Sequence, residues 1–218
     1  MSEAIPERTR REEYTEATRQ ALLAAGRDIF AHEGYQAAGI EAISRAARVT
    51  RGAFYHHFDD KKALFDAVVV SMQAEAVARV NERSRGQRKI WSRLFIGIDA
   101  YLDVCCEPAY RRVVIQEAPA VLGSKRSQEI DEAYPMALLM ASMKALKRDG
   151  ELVFEDIDLL GRMVDAMICK VGLMLADADD QTALKARCHD IIAALLERFR
   201  PEARKKTGAD RSGLVSGC

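Results

Sequence analysis

One short stretch carries side chains suited to hold an anion or the edge of a nucleic-acid base. Arg51 can donate two parallel hydrogen bonds to guanine or to a phosphate group. Tyr55 and His56 follow about one helical turn later and can donate to phosphate oxygens. Thr50 adds a hydroxyl group, and Gly52 lets another backbone come close because it has no side chain. These side chains are suited to recognise a partner through hydrogen bonds, and no covalent bond would form or break.

Two short helices must position this group. The pattern predicts helices over residues 40–46 and 51–56, joined by a tight turn at residues 47–49. Their apolar residues form a compact interior: Ile40, Ile43, Val49, Phe54 and Phe58. This is a helix-turn-helix pattern over about residues 39–58. Between Ala42 and Phe58 there are three arginines and no acidic residue, which predicts a basic face.

Residues 15–65 resemble the DNA-binding domain of the tetracycline-repressor (TetR) family of bacterial regulators. The resemblance is carried by the run Gly52–Phe58, by Lys61 with Ala63 and Leu64, and by Phe30–Tyr35. The resemblance implies that Thr50, Arg51 and Gly52 read bases. It also implies that Tyr55, His56 and Lys61 contact phosphates. The DNA-binding residues that we predict are Arg45, Arg48, Thr50, Arg51, Gly52, Tyr55, His56 and Lys61.

The sequence departs from the family pattern at two places. Family members usually have a Thr or Ser near Ala38 and Gly39, where a hydroxyl caps the second helix and touches phosphate. Members often have Gly at the position of Arg48 in the turn. Arg48 is therefore either an additional phosphate contact or a source of strain, and the sequence leaves both readings open.

The overall composition limits the class of protein. The 218 residues hold 33 basic and 33 acidic side chains, so the net charge is zero, which excludes a uniformly basic protein that coats nucleic acid. An apolar fraction of 49% is typical of a globular chain. We predict a DNA-binding domain over residues 16–76, a ligand-binding and dimerisation domain over residues 77–200, and flexible tails over residues 1–12 and 201–218.

Apolar spacing at the helical period, with few strand signals, predicts an all-α fold of about nine helices. Thr15 and Asp60 are the predicted N-caps of the first and fourth helices, and Gly34 ends the first. A seventh helix is expected over residues 128–148, with Pro135 kinking it or delaying its start. The remaining helices are expected over residues 15–32, 61–83, 88–106, 108–121, 157–176 and 182–199.

Apolar helices in the second half suggest a small-molecule site. Methionines recur at helical spacing, and methionine adapts to irregular cavities, although ordinary core filling explains each one equally well. A few polar residues within apolar runs could orient a ligand. The predicted pocket residues are Phe95, Asp99, Leu102, Tyr110, Glu117, Met140, Met143, Met163 and Met167.

The last two helices have apolar faces that are broad for a monomer. The family resemblance implies that they pair with those of a second copy as a four-helix bundle. A two-fold homodimer would present two recognition helices to successive major grooves and read a palindromic operator in double-stranded DNA. The predicted interface residues are Leu159, Met163, Met174, Ile191, Ile192, Leu195 and Phe199.

The sequence gives little support for a metal site, a cofactor site or an enzyme active site. The adjacent Cys105 and Cys106 lack nearby histidines or a spaced ligand set, so we predict no metal site and no cofactor. No nucleophile–base pair or phosphate-binding glycine loop indicates an enzyme. An odd number of cysteines, five, and a start without the secretion-signal pattern predict a cytoplasmic protein. No apolar stretch is long enough to cross a membrane.

The sequence therefore predicts a ligand-responsive DNA-binding regulator. The expected form is a homodimeric repressor that a small apolar or amphipathic effector releases from its operator. Two alternatives stay open: a DNA-binding regulator or activator that needs no ligand, and a helical enzyme or carrier whose helix-turn-helix has lost its role.

Overall fold

The computed structural model describes residues 9–176 and 178–201, and within those ranges the chain is helical and has no strand. Residues 1–8 and 202–218 of the predicted tails, and Asp177, lie outside the described residues. The first helices are α1 (Arg10–Glu33), α2 (Ile40–Ala46), α3 (Arg51–His57), α4 (Lys61–Arg83) and α5 (Ile90–Cys105). They are followed by α6, which consists of Pro108–Tyr110, a π-helical segment Arg111–Glu117 and Ala118–Leu122. The last are α7 (Ser124–Ala133), α8 (Pro135–Arg148), α9 (Ile157–Ala176) and α10 (Gln181–Glu197).

The chain divides into two compact units. The first comprises the residues up to Met72 together with Pro108–Ser124. The second comprises Gln73–Glu107 together with the residues from Lys125 onward. Helix α6 thus belongs to the same unit as the helix-turn-helix segment, although some fifty residues separate them in the sequence.

An aromatic cluster holds the first unit together. The rings of Phe30 and Phe65 meet edge to face with centroids 5.0 Å apart, and Tyr35 contacts Phe65 at the same distance. Phe54 and Ile43 are fully buried, one from each helix of the helix-turn-helix. Burial of such side chains is the main source of stability for the pair of short helices, which are too short to form alone.

Helices α5, α8, α9 and α10 supply the core of the second unit. Leu102, Met143, Val164 and Leu196, one from each helix, are fully buried there. Helices α8 and α9 approach closely at Gly161, where an added Cβ atom would lie 2.0 Å from the sulfur of Met140. None of the described helices is long and apolar enough to cross a membrane.

Helix α1 begins earlier than the sequence predicted. Its N-cap is Thr9, not Thr15, because Thr9 and Glu12 form a reciprocal capping box: each side chain bonds to the backbone of the other. The hydroxyl of Thr15 instead donates to the carbonyl of Arg11 within the helix. Residues 10–12, predicted as part of a tail, are therefore helical. The predicted cap at Asp60 is confirmed by its bond from the Ala63 amide at 2.7 Å.

The predicted seventh helix is two helices, and this raises the number of described helices from nine to ten. Pro135 begins α8, and Tyr134 before it has φ −119° and ψ −89°, outside the helical range. A proline lacks an N–H group and disfavours helical backbone in the residue that precedes it. The break therefore falls at Tyr134, and the start that the sequence placed at Gln128 moves back to Ser124.

Candidate nucleic-acid interface

Helix α2 opens the helix-turn-helix without a side-chain cap. Gly39 occupies the N-cap position and supplies no acceptor, as the missing hydroxyl in the sequence predicted. The turn that follows places Arg48 at φ +57°, in the left-handed region. This region costs a residue with a side chain about 1–2 kcal/mol relative to glycine. The second departure from the family pattern therefore places strain in the turn.

Helix α3 presents the predicted polar group to solvent. Thr50 is its N-cap, and its hydroxyl oxygen accepts from the amide of Ala53 at 3.1 Å, so part of its role is structural. Arg51, Tyr55 and His56 are exposed, while Phe54 between them is fully buried. The buried ring anchors the helix and fixes which face the exposed side chains occupy.

The guanidinium group of Arg51 has two partners in the free protein. One nitrogen lies 3.1 Å from a carboxylate oxygen of Glu41 in the first turn of α2. Another donates to the hydroxyl of Tyr55 at 3.4 Å, and the guanidinium also lies over the Tyr55 ring. These contacts, with Tyr55 as the largest cause, raise the pKa of Arg51 above its usual value. The face is therefore not free of acidic residues, because Glu41 lies just before the stretch that the sequence analysis counted.

Lys61 contacts the backbone of its own chain in the absence of DNA. Its ammonium group donates to the carbonyls of Tyr35 at 2.7 Å and Ala38 at 2.9 Å, and it lies over the Tyr35 ring. These bonds fasten the loop between α1 and α2 to the start of α4. The side chain predicted to contact phosphate is thus committed to backbone carbonyls in the free protein.

Arg45 and Arg48 are exposed, and neither forms an ion pair with the part of the chain that the structure describes. A hollow nearby combines the open N-terminus of α2 with two cationic side chains. Its lining residues are Ala38, Gly39, Ile40, Glu41, Arg51 and Lys61. Free N–H groups at a helix start and positive side chains both favour an anion.

His57 contributes to packing more than to the exposed face. It is half-buried, and its ring lies 5.3 Å from that of His56. Burial lowers its pKa from the usual 6.5, and the neighbouring His56 and Arg19 lower it further. The neutral form of the His57 imidazole is therefore favoured more than that of a histidine in water.

The π-helical segment of α6 clasps the end of α1. Arg112 donates to the carbonyl of His32 at 2.7 Å, and a carboxylate oxygen of Glu117 accepts from the amide of Tyr35 at 2.9 Å. Between them lies Gly34, at φ +84°, where an added Cβ atom would come within 2.7 Å of both side chains. A π turn places residues five apart on one side, so Arg112 and Glu117 reach the same point. The sequence analysis missed Arg112, and the five-residue spacing is the signal that could have found it.

The second unit contains an apolar cavity of about 50 Å³. Its walls come from helices α4, α5, α8 and α9, with Asp165 and Tyr101 among the polar groups. The other lining residues are Val77, Val80, Asn81, Ser84, Arg93, Leu94, Gly97, Ile98, Pro135, Leu138, Leu139, Ser142 and Ile168. Sites for drug-sized ligands are several times larger, about 300–1,000 Å³.

The nine residues predicted for a ligand pocket do not line this cavity, and the structure shows where each lies. Asp99 pairs with Arg83 at 3.0 Å and with Lys185 at 3.2 Å. Tyr110 and Glu117 belong to the first unit. Five residues lie in or against the core of the second unit, and Met163 is exposed. The five are Leu102, Met140, Met143, Met167 and Phe95, and the last of these packs against Trp91. Helical spacing predicted a buried face correctly but could not say what that face meets.

The predicted dimer residues divide into two groups. An apolar stripe on α9 is exposed, with Met163 at 56%, and Ile191 on α10 is exposed at 61%. The exposed residues of the α9 stripe are Leu159, Met163, Leu173 and Met174. Ile192 is buried in the chain's own core, which corrects its assignment, and Leu195 is half-buried. Phe199 packs against Phe154 with ring centroids 4.9 Å apart.

These features define a helical regulator with an N-terminal helix-turn-helix. Residues 22–68 match the family described as "Bacterial regulatory proteins, tetR family". Residues 91–199 match the one described as "Tetracyclin repressor-like, C-terminal domain". The chain belongs to the TetR family of bacterial transcriptional regulators.

Individual relatives agree with this assignment. The crystal structure of a TetR-family transcriptional regulator from Pectobacterium atrosepticum is 31% identical, has a TM-score of 0.73, and is matched over 89% of this chain and 98% of that chain. The Transposon Tn10 TetC protein of Escherichia coli is 28% identical over 162 residues, 74% of this chain and 82% of its own. The regulator UidR of Escherichia coli K12 is 39% identical over 69 residues, which are 32% of this chain and 35% of its own.

Proposed function

We propose that this protein is a repressor that binds a palindromic operator as a homodimer and is released by a small apolar or amphipathic effector. The observation that carries the proposal is the exposed pair Arg51 and Tyr55 on α3, held on a buried Phe54. Arg51 matches the geometry of guanine and phosphate, and Tyr55 can donate to phosphate. The Tyr55 hydroxyl also orients Arg51 before DNA arrives.

The apolar stripe on α9 supports the homodimer. The exposed Leu and Met side chains of this stripe lie within about 100° of one another around the helix, and an apolar face of this kind is unusual for a monomer. We assign residues 16–76 to DNA binding, and residues 77–200 to effector binding and dimerisation. The site of action is the bacterial cytoplasm, where operator DNA lies.

The cavity supports an effector site that opens on binding. Apolar side chains dominate its wall and a few polar groups interrupt it, which suits an amphipathic molecule. An effector must prefer the arrangement that does not bind DNA, and the affinity for the operator falls by that preference. The small volume of 50 Å³ is also the observation that favours the alternative, a regulator or activator without a ligand.

The DNA-binding proposal is tested with operator sequences that the full-length protein selects from random DNA. We expect Arg51→Ala and Tyr55→Ala to weaken binding about 10- to 100-fold in gel-shift titrations while the fold is kept. Arg198→Ala, an exposed arginine on the second unit, is the matched control and should bind normally. Wild-type affinity in both α3 variants would refute the assignment of these residues.

Dimerisation and ligand response need separate measurements on the full chain. Met163→Glu should shift sedimentation from dimer to monomer, whereas Val153→Glu, an exposed apolar residue outside the stripe, should not. In thermal-shift screening, a molecule that stabilises the protein should also weaken operator binding. If apolar and amphipathic compounds change neither quantity, the ligand-independent regulator is the better account.

A further inference from the structure

A cluster of metal-ligating atoms lies in the second unit, where two distant parts of the sequence meet. One carboxylate oxygen of Asp131 on α7, one of Asp165 on α9, and the sulfur of Cys169 on α9 all lie within 4.8 Å of one another. Asp165 and Cys169 are four residues apart, so they share one face of the helix. Three ligand atoms from two helices are thus close enough together to share one ion.

The two carboxyl groups share a site that burial makes costly for their charges. Burial and the adjacent Asp165 raise the pKa of Asp131 to about 7, and burial also raises that of Asp165. The basic residue facing Asp165 is Arg162, which already donates to Glu132 at 2.8 Å. A metal cation would satisfy both carboxylates together, as a shared proton does in its absence.

A buried thiol lies beside this cluster. Cys105, at the end of α5, is only 2% exposed, and it has no hydrogen bond within the described ranges. Burial raises the pKa of its thiol, and Cys169 and Asp131 lie close enough to raise it further. Cys169 itself is exposed, so an ion could reach the cluster from solvent. The three clustered atoms are thus two oxygens and one sulfur, and Cys105 adds a second, buried sulfur beside them, outside the group within 4.8 Å.

We propose that Asp131, Asp165 and Cys169, with Cys105 as the fourth donor, bind a divalent metal ion of the zinc class. Four mixed oxygen and sulfur donors suit the tetrahedral preference of Zn²⁺ and of its spectroscopic substitute Co²⁺. Thiolates disfavour Mg²⁺ and Ca²⁺, which take oxygen ligands. Binding involves no redox change: the cysteine protons and the proton shared by the carboxyl pair pass to solvent as the metal–ligand bonds form.

The site extends beyond the proposed DNA-binding function and does not depend on it. Asp165 also lines the cavity described above, so a bound ion would form part of the cavity wall. The sequence analysis predicted no metal site because it searched for ligands close together in the chain. These donors lie at residues 105, 131, 165 and 169, and only the fold collects them.

The test uses the full-length, reduced, metal-free protein titrated with Co²⁺ and, in competition, with Zn²⁺. We expect one ion per chain and a thiolate-to-cobalt charge-transfer band in the near ultraviolet. Cys169→Ser should lose at least half of that band. Asp131→Asn, which keeps the shape of the side chain, should weaken Zn²⁺ binding at least about 10-fold, a loss that even indirect ligand partners can cause.

The matched control is Cys188→Ser, which removes another buried thiol of the second unit outside the cluster. It should leave both the band and the affinity unchanged. Absence of the band in the wild type, or a wild-type band in Cys169→Ser, would overturn the proposal. If Cys169→Ser does not fold, the affinity of Asp131→Asn decides: unchanged binding would mean that the carboxyl pair only shares a proton.

Discussion

The carboxylate of Glu41 lies 3.1 Å from the guanidinium group of Arg51, across the two helices of the helix-turn-helix. Both side chains are mostly exposed, at 74% and 62%, so the pair adds little to stability. Its importance is for binding, since the same guanidinium group is the main candidate to meet DNA. If Arg51 contacts DNA as proposed, binding is expected to break this pair and to bring a carboxylate close to phosphates.

Glu41→Gln should therefore raise the affinity for operator DNA. Breaking an exposed ion pair costs little, so the expected gain is about two- to fivefold in gel-shift or anisotropy titrations at fixed salt. Glu151→Gln, an exposed acid in the second unit, removes the same charge and should have no such effect. Weaker binding by Glu41→Gln would mean that Glu41 instead holds Arg51 in its reading position.

Arg48→Gly should stabilise the turn. Glycine adopts φ +57° without the cost that a side chain incurs, so the free energy of unfolding should increase by about 1 kcal/mol. Arg48→Ala removes the same charge but keeps the strained backbone, and is the matched control. Chemical denaturation measures the stability of both variants. Equal stability of the two would contradict the strain argument, and a shared loss of DNA affinity would reveal a phosphate contact.

Lys61→Met should destabilise the first unit. The variant removes the ammonium group from the carbonyls of Tyr35 and Ala38, which we expect to cost about 1–2 kcal/mol. The exposed neighbour Lys62 provides the comparison, because Lys62→Met removes the same charge without these bonds. Denaturation curves that coincide for the two variants would show that the bonds contribute nothing.

Acid should weaken the first unit through His57. Its pKa in the folded state is lower than 6.5, so below that pH the unfolded chain binds more protons. Stability is therefore fully present above pH 6.5 and declines as the pH falls below it. His57→Gln should flatten the fall of the melting temperature between about pH 7 and pH 5.5. His32→Gln, at an exposed histidine, should retain the wild-type slope.

The helix-turn-helix could be predicted from the sequence because its signals are local. Asp60 caps the next helix within three residues, and the alternation around Phe54 fixes which side chains of α3 are exposed. Glu41 was missed because it lies one residue before the segment examined for charge, although it faces Arg51 in space. The N-cap at Thr9 was not predicted because the segment around it is strongly charged and resembled a tail.

Contacts between distant segments could not be predicted in the same way. The period of α10 identified Ile191 and Ile192 as apolar, but only the fold shows that the first is exposed and the second buried. Glu117 looked like a ligand-orienting residue, and it bonds instead to the Tyr35 amide 82 residues away. A pattern along one helix indicates that a face is apolar or polar, and it does not identify the partner.

The clasp formed by Arg112 and Glu117 depends on the π geometry of the segment that carries both side chains. Each residue advances an α-helix by about 100°, and a π turn, which holds more residues, advances by less at each residue. If the segment Arg111–Glu117 tightened to α geometry by one residue, the side chains at its two ends would no longer point the same way. Arg112 and Glu117 could not then both reach the end of α1. The hold on α1 therefore depends on the helical register of this one segment, and a change of one residue in that register is enough to separate the two side chains.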